Sequence, residues 1–241
     1  IAKAKITTQN GQKITTIEIN QQQLEQKLNK EGQKAKIKIP VQGQKGTVIG
    51  QLNGQTIKTM EQKESILEIK TEQASYTLPA KQIKINKVSE ELGEKIELKD
   101  IKVEVKIGET QKNMAKIAKT AAKQDEFTLV VKPVDFIVKC THKNKTIEVK
   151  NFSNYVQRTI SIPNGVDSNK ITTGIIVYPD GSICHVPTKI ILINGKYYAQ
   201  INSLTNSTYS VIWNPKQYTD LEGHWAKEIC NEMAARMVVE G

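Results

Sequence analysis

Gly174-Ile175-Ile176-Val177-Tyr178-Pro179-Asp180-Gly181-Ser182-Ile183-Cys184-His185-Val186 is two β-branched runs joined by a turn. Pro179 presets its φ, and Asp180 and Gly181 suit a reversal of the chain. Two such runs around a short turn read as an antiparallel hairpin. A second hairpin follows, with Ile190–Ile193 and Tyr197–Ile201 joined at Asn194-Gly195, where both residues tolerate positive φ. Working outward, further short strands are expected at Phe127–Val131, Asp135–Cys140, Thr146–Val149, Thr159–Ile162 and Thr208–Trp213. The regular spacing predicts an antiparallel β-sandwich over 127–214, which Asn214-Pro215 ends.

Upstream the pattern is mixed. Ile14–Ile19 reads as a strand, and Asn20 as the N-cap of a helix over Gln21–Asn29 that Gly32 closes. Ala35, Ile37 and Ile39 alternate with Lys36 and Lys38 in a half-buried strand that stops at Pro40. Gly43 and Gly46 mark a loop. Ile66–Thr71 and Ser75–Leu78 read as two strands around a turn. Ile101, Val103, Val105 and Ile107 alternate with Lys102, Glu104 and Lys106 in the clearest strand of the chain. Met114, Ile117, Ala118 and Ala121 lie at helical spacing within Thr110–Lys123. Ile17-Glu18-Ile19-Asn20 and Ile83-Lys84-Ile85-Asn86 each precede a short helical stretch and then a strand, which suggests a duplicated strand–helix–strand unit. Residues 1–126 are therefore expected to form an α+β domain, 127–214 the β-sandwich, and 215–241 a linker with a single C-terminal α-helix. In that helix Trp225, Ile229, Met233 and Met237 fall four apart on one face. Thr219 or Asp220 is expected to cap its start and Gly241 to stand at its end.

Composition narrows the function. The 241 residues carry a net charge of +10. A basic chain invites a nucleic-acid reading. Against it, arginine occurs only at Arg158 and Arg236, and the lysines alternate with Ile and Val along strand faces. No apolar run is long enough to span a membrane. The spaced cysteines Cys140, Cys184 and Cys230 make neither a disulfide scaffold nor a zinc site and read as small buried hydrophobes, with a Cys140–Cys184 bridge left open. His142, His185 and His224 show no metal-ligand spacing. His185 next to Cys184 is not a catalytic pair, because neighbours on a strand point to opposite faces. Neither a Walker loop, a calcium loop nor a G-x-S-x-G elbow occurs. No catalytic residue, cofactor or metal is expected.

Tyr218-Thr219-Asp220-Leu221-Glu222-Gly223-His224-Trp225-Ala226 resembles the opening of an S-layer homology motif, which runs aromatic, Ser/Thr, Asp, apolar, any residue, Gly, His, Trp, Ala. The following Ala235-Arg236-Met237-Val238-Val239-Glu240-Gly241 fits the same motif. Four upstream stretches resemble the segment that precedes such repeats in large surface proteins of Gram-positive bacteria: 50–54 with 60–63, Tyr76–Ala80, Asn154–Ile160 and Asn206–Val211. The resemblance implies an extracellular protein held at the cell wall, whose complete repeats, usually three, bind a secondary wall polysaccharide. The segment that grips the polysaccharide lies in the second half of each motif, so the chain is expected to be a piece of a longer one, cut within its first motif, that does not bind the polysaccharide by itself. Asp220, Gly223, His224, Trp225 and Ala226 carry the signature, with packing the expected role of Trp225. The apolar helix face is expected to dock on the sandwich, to self-associate or to fray. Two functions remain: a non-catalytic stalk, or a carbohydrate-binding module of a surface-anchored glycoside hydrolase using Tyr178, Tyr197 or Tyr198.

Overall fold

The structure, a computed structural model, describes residues 2–9, 11–43, 46–93 and 95–239. In chain order the elements are β1 (Ala2–Gln9), β2 (Gln12–Ile19), α1 (Gln21–Glu31), β3 (Lys36–Pro40), β4 (Thr47–Asn53), α2 (Gly54–Gln62), β5 (Ile66–Lys70), β6 (Ala74–Pro79), α3 (Ile85–Leu92), β7 (Lys102–Glu109) and α4 (Lys112–Gln124). They continue as β8 (Thr128–Leu129), β9 (Val134–His142), β10 (Lys145–Glu148), β11 (Asn151–Ser161), β12 (Thr173–Val177), β13 (Ile183–Val186), β14 (Thr188–Ile193), β15 (Lys196–Thr205), β16 (Thr208–Trp213) and α5 (Lys227–Ala235). The chain is thus mostly β, with short helices and a C-terminal helix. Among the described residues no helix is long and apolar enough to cross a membrane.

Two compact units form, and the chain passes back and forth between them. Unit 1 comprises residues 1–109, 135–158 and 203–206; unit 2 comprises 110–134, 159–202 and 207–241.

Unit 1 holds a strand series β1-β2-β4-β7 and a second series β3-β5-β6. Both are mixed: β2 and β4 run parallel, as do β3 and β5, whereas β1–β2, β4–β7 and β5–β6 are antiparallel. The two series face each other closely, since a Cβ on Gly50 of β4 would run into Ile69 Cδ1 of β5. Ile37, Leu67, Ile69, Leu78, Val103 and Val105 fill the space between, each almost fully buried. Period-two alternation puts these residues inside and Lys36, Lys38 and Lys102 outside.

The duplicated unit expected at Ile83–Ile107 does not form; a different pair of strand–helix–strand units does. Ile83–Asn86 is not a strand: α3 starts at Ile85, after Lys84 in the left-handed region at φ 56°. Glu61 accepts the Ile85 N–H at 2.8 Å, and Ile85, Val88 and Leu92 bury one helical face. The true second copy is β4-α2-β5, matching β2-α1-β3. Ile14 pairs with Thr47 and Lys36 with Ile66, so each strand of one copy runs parallel to its counterpart. Each helix is capped by an asparagine side chain: Asn20 accepts from Gln23 N–H at 3.0 Å and Asn53 from Thr56 N–H at 2.8 Å. The helix α2 carries no strong sequence signature, because Gly54 starts it and Thr56 and Thr59 are weak helix formers.

In unit 2 β12 pairs antiparallel with β13 and β16, β16 with β8, and β14 with β15. The hairpin expected around Pro179-Asp180-Gly181 forms, with Gly174 opposite Val186 and Val177 opposite Ile183. One face of β12 turns Ile175 and Val177 toward Ala118 and Ala121 of α4, with Phe127 and Ile212 in the same cluster. Each large side chain so buried contributes roughly 1.5–3 kcal/mol. The other face approaches the second hairpin: a Cβ on Gly174 would lie 2.7 Å from Thr188 Oγ1 and 2.8 Å from Ile201 Cδ1.

The C-terminal helix is shorter than expected. Thr219 and Asp220 do not cap it; they form a separate 3-10 turn over Thr219–Leu221, and Gly223 at φ 75° breaks the chain direction before Ala226 starts α5. The helix ends at Ala235. Gly241, expected at its end, lies outside the described residues.

Candidate functional site

The segment 218–239 is closed on itself by one bond and tied to the rest of unit 2 near its C-terminal end. Asn231 Oδ1 accepts the Tyr218 N–H at 2.9 Å. Asn214 Nδ2 donates to Ala235 O at 2.8 Å, while the Asn214 N–H donates to Thr172 Oγ1 at 3.0 Å. Met237 joins the cluster under α4, and Ala234 is buried. His185 on β13 sits against Arg236 and 3.1 Å from Thr173 Oγ1 through Nδ1. Burial, and then the Arg236 charge, hold its imidazole below the usual histidine range, so it is neutral at pH 7.

The signature residues occupy the exposed side of this segment. Gly223 supplies the positive φ that an L side chain would strain. His224 stacks obliquely on Trp225, with ring centroids 5.5 Å apart, and its Nδ1 accepts the Ala226 N–H at 3.2 Å. Asp220 is exposed and Ala226 half-buried. An ion pair joins Lys227 to Glu222 beside them. Trp225 is 84% exposed, and Ile229 and Met233 on the same face are exposed too. The packing expected for Trp225 is therefore not made within this chain. Of the four-residue stripe, Met237 alone is drawn into the core, because the chain turns after Ala235 and Met237 takes a positive φ of 60°.

The other expected chemistry is dispersed. Cys140, Cys184 and Cys230 are free thiols, so no Cys140–Cys184 bridge exists. Cys184 is exposed, whereas burial pushes the Cys140 thiol up to about 12. Among the described residues no group of three His, Cys, Asp or Glu side chains could hold a metal ion. Tyr178, Tyr197 and Tyr198 are half-buried, and Lys196 Nζ lies 5.9 Å from the Tyr198 ring centroid.

Unit 1 contains a polar centre that spacing did not reveal. Arg158 on β11 is fully buried. Its guanidinium donates to Val156 O at 2.8 Å, to Thr205 O, and to Asn206 Oδ1 at 3.2 Å. Its carbon lies 5.1, 5.6 and 5.9 Å from the ring centroids of Tyr76, Phe136 and Phe152. Asn206 Nδ2 donates to Val149 O at 2.7 Å. Buried Gln82 bridges in a similar way, its Oε1 accepting the Ser153 and Asn154 N–H groups at 2.9 and 3.1 Å. Both side chains tie separate segments together. The signal that could have found Arg158 is an arginine on the same strand face as apolar Val156 and Ile160; Gln82 carries no such signal.

No known family model, curated protein or solved structure matches the chain.

Proposed function

We propose that this chain is a non-catalytic, β-sandwich-like stalk of an extracellular protein held at the cell wall through S-layer homology repeats. The observation that carries the reading is the signature segment itself: Asp220, Gly223, His224, Trp225 and Ala226 in the motif's order, with Trp225 exposed, followed by a helix whose Ile229 and Met233 are exposed too. An apolar stripe on a helix pinned at its C-terminal end is the surface that further helices of a complete repeat domain would cover. The buried polar centres at Arg158 and Gln82 fit a load-spreading module, since they join distant segments by several hydrogen bonds each. In this reading the wall polysaccharide is bound by complete repeats and not by residues 1–241.

Co-sedimentation with purified cell-wall sacculi, before and after removal of the secondary polysaccharide, tests it. A form extended through three complete motifs is expected to pellet with untreated sacculi, and the present chain to stay in solution. If the present chain pellets and stripping the polysaccharide releases it, the module binds glycan directly and the stalk reading falls.

A further inference from the structure

We infer that the outer face of α4 is a docking surface for a linear phosphodiester polymer, of the polyol-phosphate kind that an anionic wall polymer presents. The choice of that polymer rests on the cell-wall reading; the lysine face that would hold it does not.

Helix α4 reads Lys112-Asn113-Met114-Ala115-Lys116-Ile117-Ala118-Lys119-Thr120-Ala121-Ala122-Lys123-Gln124. Its lysines recur at steps of four, three and four. At about 100° per residue, all of them fall within a stripe about 60° wide. Ala118 and Ala121 are buried on the opposite side, and Met114 and Ile117 join them in the cluster with Phe127 and Ile175. Lys112, Lys116, Lys119 and Lys123 are all exposed. The rise of the helix spreads them over about 16 Å.

This face differs from those of the other helices. Elsewhere acids stand among the bases: Lys27 pairs with Glu31 in α1, Lys87 with Glu91 in α3, and Glu232 of α5 with Arg236 just past it. Helix α4 contains no Asp or Glu, and among the described residues none of its lysines has a carboxylate partner. Glu109 precedes the helix, and Asp125 and Glu126 follow it. Like charges three and four residues apart repel, and a lysine in the first turn opposes the helix dipole. The start of α4 also lacks a side-chain cap. Burial of the inner face therefore holds the helix against repulsion along the outer one. A chain of anions laid on the stripe would neutralise that repulsion, and its nearest charge would meet the uncapped N–H groups of the first turn.

The composition of the face selects among polyanions. A helix that lies on a membrane inserts apolar side chains, and those of α4 are turned into the core of unit 2. Single-stranded nucleic acids are held on aromatic platforms, and the stripe has none. Duplexes are read by arginine forks. Both arginines lie elsewhere, Arg158 buried in unit 1 and Arg236 paired with Glu232. Lysines act as point charges, which suits a flexible chain with one phosphate per repeating unit. With about 0.7 of a counterion released per contact, four contacts make log K fall with log salt at a slope near about −3.

Fluorescence anisotropy of a labelled synthetic poly(glycerol phosphate), titrated with the whole chain, tests this. Binding at low salt is expected, weakening several hundredfold between about 20 and about 200 mM salt. The variant Lys112→Gln/Lys116→Gln/Lys119→Gln/Lys123→Gln should remove it. It takes away only mutually repelling charges, and unchanged circular dichroism shows that it is folded. The variant Lys3→Gln/Lys5→Gln/Lys38→Gln/Lys139→Gln removes as many charges from exposed strand positions and should bind almost as the parent does. No binding at low salt overturns the inference. So does equal weakening by the two variants, which makes net charge the cause. Tighter binding to oligo-dT of equal phosphate number, or to phosphatidylglycerol vesicles at equal accessible phosphate, overturns it in favour of a nucleic acid or a membrane. The assay contains neither sacculi nor repeats, so its failure leaves the stalk reading standing. Sedimentation with sacculi at about 0.3 M salt, where the lysine contacts are screened, tests that reading alone.

Discussion

Arg158 and Tyr76 share one acceptor: the guanidinium and the phenol O–H both donate to Asn206 Oδ1, and the guanidinium carbon stands 5.1 Å from the Tyr76 ring centroid. A charge with no exposure is thus held by neutral carbonyls, an amide and aromatic faces. Such a group is expensive to disturb, because removing it strands several buried acceptors at once. Arg158→Met is expected to cost about 3 kcal/mol or more in urea unfolding. Arg158→Lys should recover little, since an ammonium cannot reproduce the planar fork.

The two asparagine caps should differ in weight. Asn20→Ala removes one cap bond and is expected to cost about 1 kcal/mol. Asn53 also accepts from the Thr56 hydroxyl at 2.9 Å and donates to Gln21 Oε1 at 2.8 Å. Asn53→Ala should therefore cost about 2 kcal/mol. A Gln21→Ala/Asn53→Ala double-mutant cycle should show coupling between the two helix starts.

Glycine substitutions should separate by what the new methyl meets. At Gly108 a Cβ would meet the Thr47 backbone, with Cα 2.9 Å away, whereas at Gly50 it would meet the terminal carbon of Ile69. Gly108→Ala is expected to cost roughly 2–3 kcal/mol and Gly50→Ala less, by chemical denaturation.

The buried thiol predicts an alkaline limit. Cys140 is held protonated by burial, with its pKa raised from 9.0 to about 12. The unfolded thiol ionises first as pH rises, so this contribution is complete below about pH 9 and is lost between about 9 and 12. Cys140→Ala should flatten that part of the stability–pH curve. A maleimide should label exposed Cys184 at once and leave Cys140 until the chain unfolds.

Trp225→Ala should leave stability within about 0.5 kcal/mol, since its indole is exposed. Asn214→Ala, which frees Ala235 O from its donor, should instead loosen α5 and raise amide exchange there.

Local features were legible wherever a short stretch carried its own cause. The Asn20 cap, the alternation in β7, the spacing in α4, the turns at Pro179-Asp180-Gly181 and Asn194-Gly195, and the strand Thr208–Trp213 all follow from neighbouring residues. The strand β4 and helix α2 were not legible, because Thr47–Gln62 is rich in Gly, Gln and Thr and is ordered by burial of Leu52, Ile57 and Met60. The exposure of Trp225 was not legible either, because its four-residue spacing from Ile229 and Met233 suggested packing.

The sequence by itself determined the strands, turns and helices that turn chemistry, caps and periodicity mark, such as α1, β7, α4 and the two hairpins of unit 2. Only the tertiary structure decided that β2 and β4 run parallel, that Arg158 is buried beside Tyr76 and Asn206, and that β14 ends its strand series. The reason is one of range. Turn chemistry and periodicity act between residues a few positions apart, whereas strand partners and buried polar centres depend on which distant segments exclude water together.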